Sequence, residues 1–331
     1  MLSYEHIYHA GNHADILKHL TLTLILQRLL QKDKPFTVYD THAGFGVYDL
    51  TDCRAQKTNE AESGIRRLLQ PEVFDLSKLE SPQVISTGAM TNIIAPYLTL
   101  CRTYATEQKY PGSPEIARCF LRPADKLILS ELHPQGIEVL RRNMKTPPLA
   151  HGTSAHTQPL ADETPATTQT QSPAHTKAYV TPQIHFRNGY EMLRALTPPQ
   201  TKRGVALIDP SFEEAQDFSD CADTICAVHQ KWAGGILALW YPLLEHRHTE
   251  TSRMKQQIIS CAQRTATEQN VLDIQLAVQS PEEKTGLAKL YGSGMLVVNF
   301  PYLLDEQMAA VLPHLAKTLG NEHARWSVEK F

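Results

Sequence analysis

The chain is poor in cysteine, has no long apolar run and carries almost no net charge. Six of its 331 residues are cysteine: Cys53, Cys101, Cys119, Cys221, Cys226 and Cys261. None form a Cys-x-x-Cys pair, and a chain of this length buries a core without disulfide staples. Free thiols in a reducing compartment are expected. The most apolar stretch, Leu20 to Leu30, is broken by Thr21, Thr23, Gln27 and Arg28. It is too short and too polar to span a bilayer, so no membrane partner is expected. Met1-Leu2-Ser3-Tyr4-Glu5-His6 lacks the basic-then-apolar layout of a signal peptide, which gives a cytoplasmic expectation. A net charge of −3 argues against a general nucleic-acid coat and leaves room for a local basic patch.

What is present reads as alternating strands and helices. Asn12 is a good N-cap, with Asp15 in the first turn and Ile16, Leu17, Leu20, Leu24 and Ile25 at helical spacing. Phe36–Asp40 is a short strand, followed by a turn with glycines at 44 and 46. Such glycines let the backbone approach a ligand. The third glycine of a dinucleotide fingerprint is missing, because Val47, Tyr48 and Asp49 follow. The next strand, Lys126–Glu131, comes late. Helical stretches at Thr58–Leu69 and Ala89–Ala105 fill the gap, so residues 49–108 read as an inserted helical subdomain. Tyr110-Pro111-Gly112-Ser113-Pro114-Glu115 is a helix start with Ser113 as the expected cap. Gly136–Met144 is a further helix. Residues 146–178 are built from Thr, Ala, Pro, His, Gln and Ser without periodicity, and are expected to be a disordered loop. Strands at Gln183–Arg187, Arg203–Ile208 and Gly235–Pro242 follow, with helices at Asp220–Trp232, Ser252–Ala266 and Gln307–Leu319. Val271–Val278 and Ser293–Asn299 are expected as the hairpin edge of a seven-stranded sheet. Residues 1–48 and 109–331 thus form one doubly wound α/β domain.

Four strand ends carry polar residues: Asp40 with its glycine turn, Glu131, Asn188-Gly189, and Asp209. On neighbouring parallel strands they would converge on one crevice. Asp40 and the turn at Gly44 suit the methionine end of S-adenosylmethionine. Glu131 suits paired ribose hydroxyls, since a carboxylate accepts both hydrogen bonds. Asn188 can accept from an adenine amino group and donate to a ring nitrogen. This order fits a Rossmann-like class I S-adenosylmethionine-dependent methyltransferase better than a dehydrogenase. The strand Arg203–Ile208 ends in Asp209-Pro210-Ser211-Phe212, close to the Asp-Pro-Pro-Tyr of amino-group methyltransferases. Asp209 and the Pro210 carbonyl would each accept an N–H of an adenine amine, and Asp209 would take the proton. Phe212 would stack on an extruded base. The blander alternative is that Asp209 caps a turn and Phe212 packs in the core. His6, His9, His13 and His19 are scattered without a matching thiolate, so caps and surface groups are expected and no metal. Tyr4, Lys18 and the Arg141-Arg142-Lys145 group are candidate phosphate contacts.

Taken together, Met1–Tyr4, His9-Ala10-Gly11-Asn12-His13-Ala14-Asp15 with Lys18-His19, Asp40–Gly44, Tyr110–Pro114, Glu131–Pro134, Leu239–Pro242 and Ser293-Gly294-Met295 resemble the bacterial large-subunit ribosomal RNA methyltransferase J family nearly end to end. The resemblance implies methyl transfer from S-adenosylmethionine to N6 of one adenine in protein-poor 23S rRNA, by a Rossmann-like fold with an inserted helical subdomain. It implies cofactor contacts at His19, His42, Ser113, Glu131, Asn188, Gly189 and Asp209, with Asp209 as proton acceptor and Tyr4 against the substrate. It also implies an N-terminal segment folded over the cofactor. A monomer is expected.

Two departures from the family pattern involve three positions. Asn188 replaces an Asp, and Ser211-Phe212 replaces Pro-Tyr. Binding should survive the first, and the second predicts a lower turnover. A weakened homologue that binds S-adenosylmethionine and RNA, or a DNA adenine methyltransferase, are the alternatives.

Overall fold

Two strands at the middle of one sheet set the geometry of everything else. They are β1 (Thr37–Asp40) and β6 (Gly204–Ile208), and both are buried on both faces. Near-continuous apolar strands of this kind need helices on each side. The structure is a computed structural model that describes residues 4–73, 90–149, 179–264, 269–283 and 290–331. In chain order the remaining strands are β2 (Val47–Asp49), β3 (Lys109–Pro111), β4 (Lys126–Glu131), β5 (Gln183–Phe186), β7 (Ile236–Leu244), β8 (Val271–Ala277), β9 (Leu290–Val298) and β10 (Arg325–Lys330). The main sheet runs β10-β8-β9-β7-β6-β1-β4-β5. From β7 to β5 every pairing is parallel, and β9 and β10 pair antiparallel with their neighbours. Register places Asp40 opposite Leu129 and Leu207, so the ends of β4, β1 and β6 lie side by side at one edge.

Helix α1 (His13–Leu30) starts where the sequence puts it, with the Asn12 side chain accepting from the Ala14 and Asp15 amides. It is apolar nearly all round, and such a helix has to be buried. It packs against β9, against α3 (Met90–Ala105), against α4 (Ser113–Phe120) and against α9 (Leu304–Leu319). Its buried threonines are satisfied within the helix: Thr21 donates to the Leu17 carbonyl and Thr23 to that of His19. The other helices are α2 (Cys53–Thr58), α5 (Pro134–Asn143), α6 (Gly189–Leu196), α7 (Ala215–Lys231) and α8 (His248–Gln263).

Several expectations change. The sheet has eight strands instead of seven, because β10 pairs with β8 and β8 is therefore not the edge. The expected helix at Thr58–Leu69 is broken: α2 ends at Asn59 in the left-handed region, and a wide turn at Glu62–Arg66 follows. Gly64 lies against the Gly11 carbonyl, where a Cβ would sit 2.1 Å away, and this close approach interrupts the helix. The chain leaves and re-enters the main body on a two-stranded ribbon, β2 with β3, which no local apolar pattern announces. Gly112, not Ser113, caps α4, and α7 and α8 begin several residues earlier than their apolar periodicity. Residues 74–89 and 150–178, including most of the expected loop, lie outside the described residues. Residues 146–149 are held, with Arg118 donating to the Thr146 carbonyl and the Leu149 amide donating to Tyr104.

Asp273 on β8 is wholly buried. It accepts from Tyr241 on β7, from Lys255 on α8 and from Gln275. A buried carboxylate needs every donor it has. Tyr241→Phe removes one donor without changing packing volume. Its unfolding free energy in a urea titration should drop by about 1–3 kcal/mol.

Candidate active site

The parallel strand ends open on a cavity of about 610 Å³. Asp40, Thr41, Glu131, Asn188 and Asp209 reach this region from four adjacent strands, which is the crevice expected at the carboxyl edge of an open α/β sheet. His19, His42, Gly44, Ser113, Glu131, Asn188, Gly189, Asp209, Pro210, Phe212, Tyr4 and Lys18 all line it. Asp40 lies just behind the lining, 2% exposed. The residues that the sequence singled out for cofactor and catalysis therefore gather in one place, whereas Arg141, Arg142 and Lys145 are exposed at the end of α5 and do not line the cavity. Tyr4, Glu5, His6 and His9 also line the cavity, so the N-terminal segment closes one side of it.

Asp209 follows the last residue of β6, and its side chain is 13% exposed. Lys18 from α1 donates to Asp209 Oδ2 and lies 3.0 Å from Asp15 Oδ1. One ammonium thus bridges two carboxylates. Asp15 is 1% exposed and has further partners: the Gly11 amide at 2.8 Å and His6 Nε2 at 3.0 Å. A carboxylate only accepts, so His6 Nε2 carries a proton, and Nδ1 lies 2.9 Å from the Tyr4 hydroxyl. Tyr4 also stacks on His9, which pairs with Glu60. Burial pushes Asp15 up, but His6 and Lys18 outweigh it and hold its carboxyl well below the usual range. Burial also pushes Asp209 up, and there Lys18 offsets only part of the effect, so the carboxyl ends above its ordinary value. Lys18 is held above its usual range because Asp15 and Asp209 together overcome its desolvation. Asp209 thus has the properties of a weakly basic group able to accept a proton.

The other half of the cavity is built from β1, β4 and the turns that follow β4 and β5. Burial raises Asp40 to about 6, moderated by a hydrogen bond from Ser113. Ser113 is free for this because Gly112 takes the cap position. Glu131 accepts from the Gly44 amide at 2.8 Å and from the His133 amide at 2.7 Å, one on each oxygen. Each oxygen keeps a second lone pair, so this carboxylate is fixed in place and can still bind a diol. Gly189 begins α6 with the Thr41 carbonyl 2.0 Å from where a Cβ would be, so no other residue fits without moving β1. Burial lowers His19 to about 3 and His42 to about 4, leaving both rings neutral. His19 Nδ1 lies 2.6 Å from the Tyr110 hydroxyl, and His42 Nδ1 lies 2.8 Å from that of Thr41.

Four sequence expectations are corrected by this geometry. Lys18 is 4% exposed at the base of the cavity and cannot meet a phosphate backbone; its partners are Asp15 and Asp209. Phe212 is 4% exposed and packs on Phe218 and Trp240, with ring centroids 4.7 and 6.0 Å away. Most of its ring is already used. Asn188 spends its amide oxygen as the cap of α6, accepting from the Tyr190 and Glu191 amides, so only its NH₂ group is left to donate. At Gly44, with φ of +56°, the space of a Cβ is taken by the Tyr48 hydroxyl, so the glycine serves the turn itself. Asp15, His6 and Trp240 were missed as parts of the site. Asp15 had a readable signal, since it stands three residues before Lys18 and four before His19 on one helix face. Trp240 had none, because its position follows from how β7 pairs.

Known proteins are similar to this chain over nearly its whole length. The chain is 34% identical over 327 residues to the Ribosomal RNA large subunit methyltransferase J of Escherichia coli, covering 98% of this chain and 97% of that one. It is 33% identical over 334 residues to the protein of the same name from Haemophilus influenzae, covering 99% and 98%. Among solved structures, a protein of Legionella pneumophila superposes with a TM-score of 0.73 at 26% identity, covering 97% of this chain and 98% of that one. The family model described as Ribosomal RNA large subunit methyltransferase D, RlmJ, matches residues 33–157 and 173–331. A cavity at the carboxyl edge of a Rossmann-like sheet, full-length relatives and a family model spanning most of the sequence lead to one conclusion: the chain belongs to this methyltransferase family.

Proposed function

We propose that this chain transfers a methyl group from S-adenosylmethionine to N6 of a single adenine in 23S rRNA, using RNA that is still poor in ribosomal protein. The observation that carries the proposal is the convergence of Asp40, Glu131, Asn188-Gly189 and the Asp209–Phe212 turn on one cavity. The names of the full-length relatives support an rRNA substrate. S-adenosylmethionine, when bound, supplies an electrophilic methyl group. The cavity suits it: Asp40 is a buried carboxyl that burial raises to about 6, and Glu131 has two free lone pairs in a fixed frame. Glu131 would hold the ribose diol, and Asn188 would donate to an adenine ring nitrogen.

Asp209 and the carbonyl of Pro210 would each accept one N–H of the target amine. An exocyclic adenine nitrogen is a poor nucleophile because its lone pair is delocalised into the ring. Two acceptors draw it toward a tetrahedral shape and fix its direction. After transfer the nitrogen is cationic and loses a proton to Asp209, whose raised basicity fits that task. Tyr4, which lines the cavity, would meet the base or its sugar. Phe212 would form the floor under the base together with Trp240.

Two outcomes are expected. Asp209→Ala should bind S-adenosylmethionine in calorimetry but incorporate no labelled methyl into protein-free 23S rRNA, and duplex DNA should be no acceptor for the native protein. Methylation of DNA in preference to rRNA would move the assignment to the DNA enzymes, and donor binding without any methyl transfer by the native protein would mark a weakened homologue. The second concerns pH. Asp40 is neutral below about 6 and charged above it, and a cationic donor favours the charged form. Affinity for S-adenosylmethionine should therefore rise between pH 5 and 7, by about tenfold per unit at most, and Asp40→Asn should flatten that rise.

A further inference from the structure

Asp15 is the most heavily partnered titratable group at the cavity, and the chemistry above gives it no part. Its two oxygens serve the Gly11 amide, His6 and Lys18, and it stands 3.8 Å from His19. Such a set is more than a helix start requires, since Asn12 already caps α1. Asp15 Oδ1 and Asp209 Oδ2 hold the same ammonium. Asp209 Oδ1 takes no hydrogen bond from the described residues.

We infer that Asp15 is a positioning residue for methyl transfer: it shares the Lys18 ammonium with Asp209, so that Asp209 is oriented through one oxygen and keeps the other for the amine. The physical reason lies in what would happen without it. A lone Lys18–Asp209 pair, buried on both sides, would be a full ion pair, and a carboxylate in such a pair is a poor proton acceptor. A second anion on the far side of the ammonium weakens that hold. The two carboxylates then separate in role, as paired acids in one site commonly do. Asp15 stays a fixed anion and Asp209 becomes the group that exchanges a proton. The opposite shifts of the two carboxyls agree with this division. Asp15 also holds His6, whose other nitrogen holds Tyr4, so the same carboxylate orders the lid over the cavity.

The inference rests on Asp209 being the proton acceptor of the proposed reaction, and the test separates the two. Asp15→Asn keeps the shape and the acceptor for the Gly11 amide but removes the charge. Donor affinity by calorimetry and the melting temperature should remain close to native. The turnover number on protein-free 23S rRNA should fall by about a hundredfold, the loss that a displacement of about 1 Å brings, with KM for RNA changing much less. The acid limb of the turnover–pH profile should move to lower pH, because Lys18 now acts on Asp209 alone. The other titratable groups that face Asp209 are His6 and Tyr4 from the N-terminal segment, Asp40 from β1 and Cys221 from α7, and none of them is substituted in this variant.

A double variant covers the case in which the single one folds poorly. Lys18→Met combined with Asp15→Asn removes both charges, and it should be no slower than Lys18→Met alone if Asp15 acts through Lys18. An unmoved acid limb, or losses that multiply in the double variant, would overturn the inference. Asp209→Ala assayed in parallel isolates the underlying reading: methylation persisting there means that the proton acceptor lies elsewhere, whatever Asp15 does.

Discussion

One buried ammonium ties this molecule together. Lys18 lies inside a helix that is apolar on almost every side, and it reaches across to the end of a central strand. An uncompensated charge there would cost several kcal/mol, and the two carboxylates on either side of the ammonium offset that cost. That requirement fixes the rotation of α1 about its axis and its height above β6. The N-terminal segment follows from it, because His6 and Gly11 bind the same Asp15. Folding and site formation are therefore one event in this region.

The sheet supplies the rest of the frame. Parallel pairing from β6 to β5 brings four strand ends into line, and each is followed or closed by a group with hydrogen-bonding capacity. None of these groups is left to its own rotamer. Glu131 is fixed by two backbone amides, Asp40 by Ser113, and Asn188 by the first turn of α6. Catalytic sites gain from side chains that are set before the ligand arrives. Here much of that setting comes from the backbone.

The central strands, α1 and the four polar strand ends were legible because each is local: an apolar run, a cap, a carboxylate at a strand end. Asp209 and Glu131 could be placed in one crevice from their order alone. What could not be read depends on chain segments far apart. The β2–β3 ribbon joins residues 47–49 to residues 109–111, and β10 joins residues 325–330 to β8. Lys18 looked like a surface cation because helical spacing does not say that α1 is covered on every side. Phe212 looked like a stacking ring, since nothing local shows that Phe218 and Trp240 already pack on it. Ser113 was given a cap's task because its sequence pattern is that of a cap. Its hydroxyl instead serves Asp40, a residue on another strand.

The two flanks of the main sheet are unequal, and this bears on how the protein behaves at high concentration. β10 closes one flank with Arg325, Trp326, Glu329 and Lys330 exposed along it, and the mixed charge on either side of the indole discourages a second sheet from adding. β5 closes the other flank with four residues, and Phe186 there is 54% exposed. Its protection is brevity, since a four-residue ladder offers little for a stray strand to hold. Self-association, where it occurs, would begin at the β5 flank, beside the Glu131 corner of the cavity and away from the ammonium that organises the core.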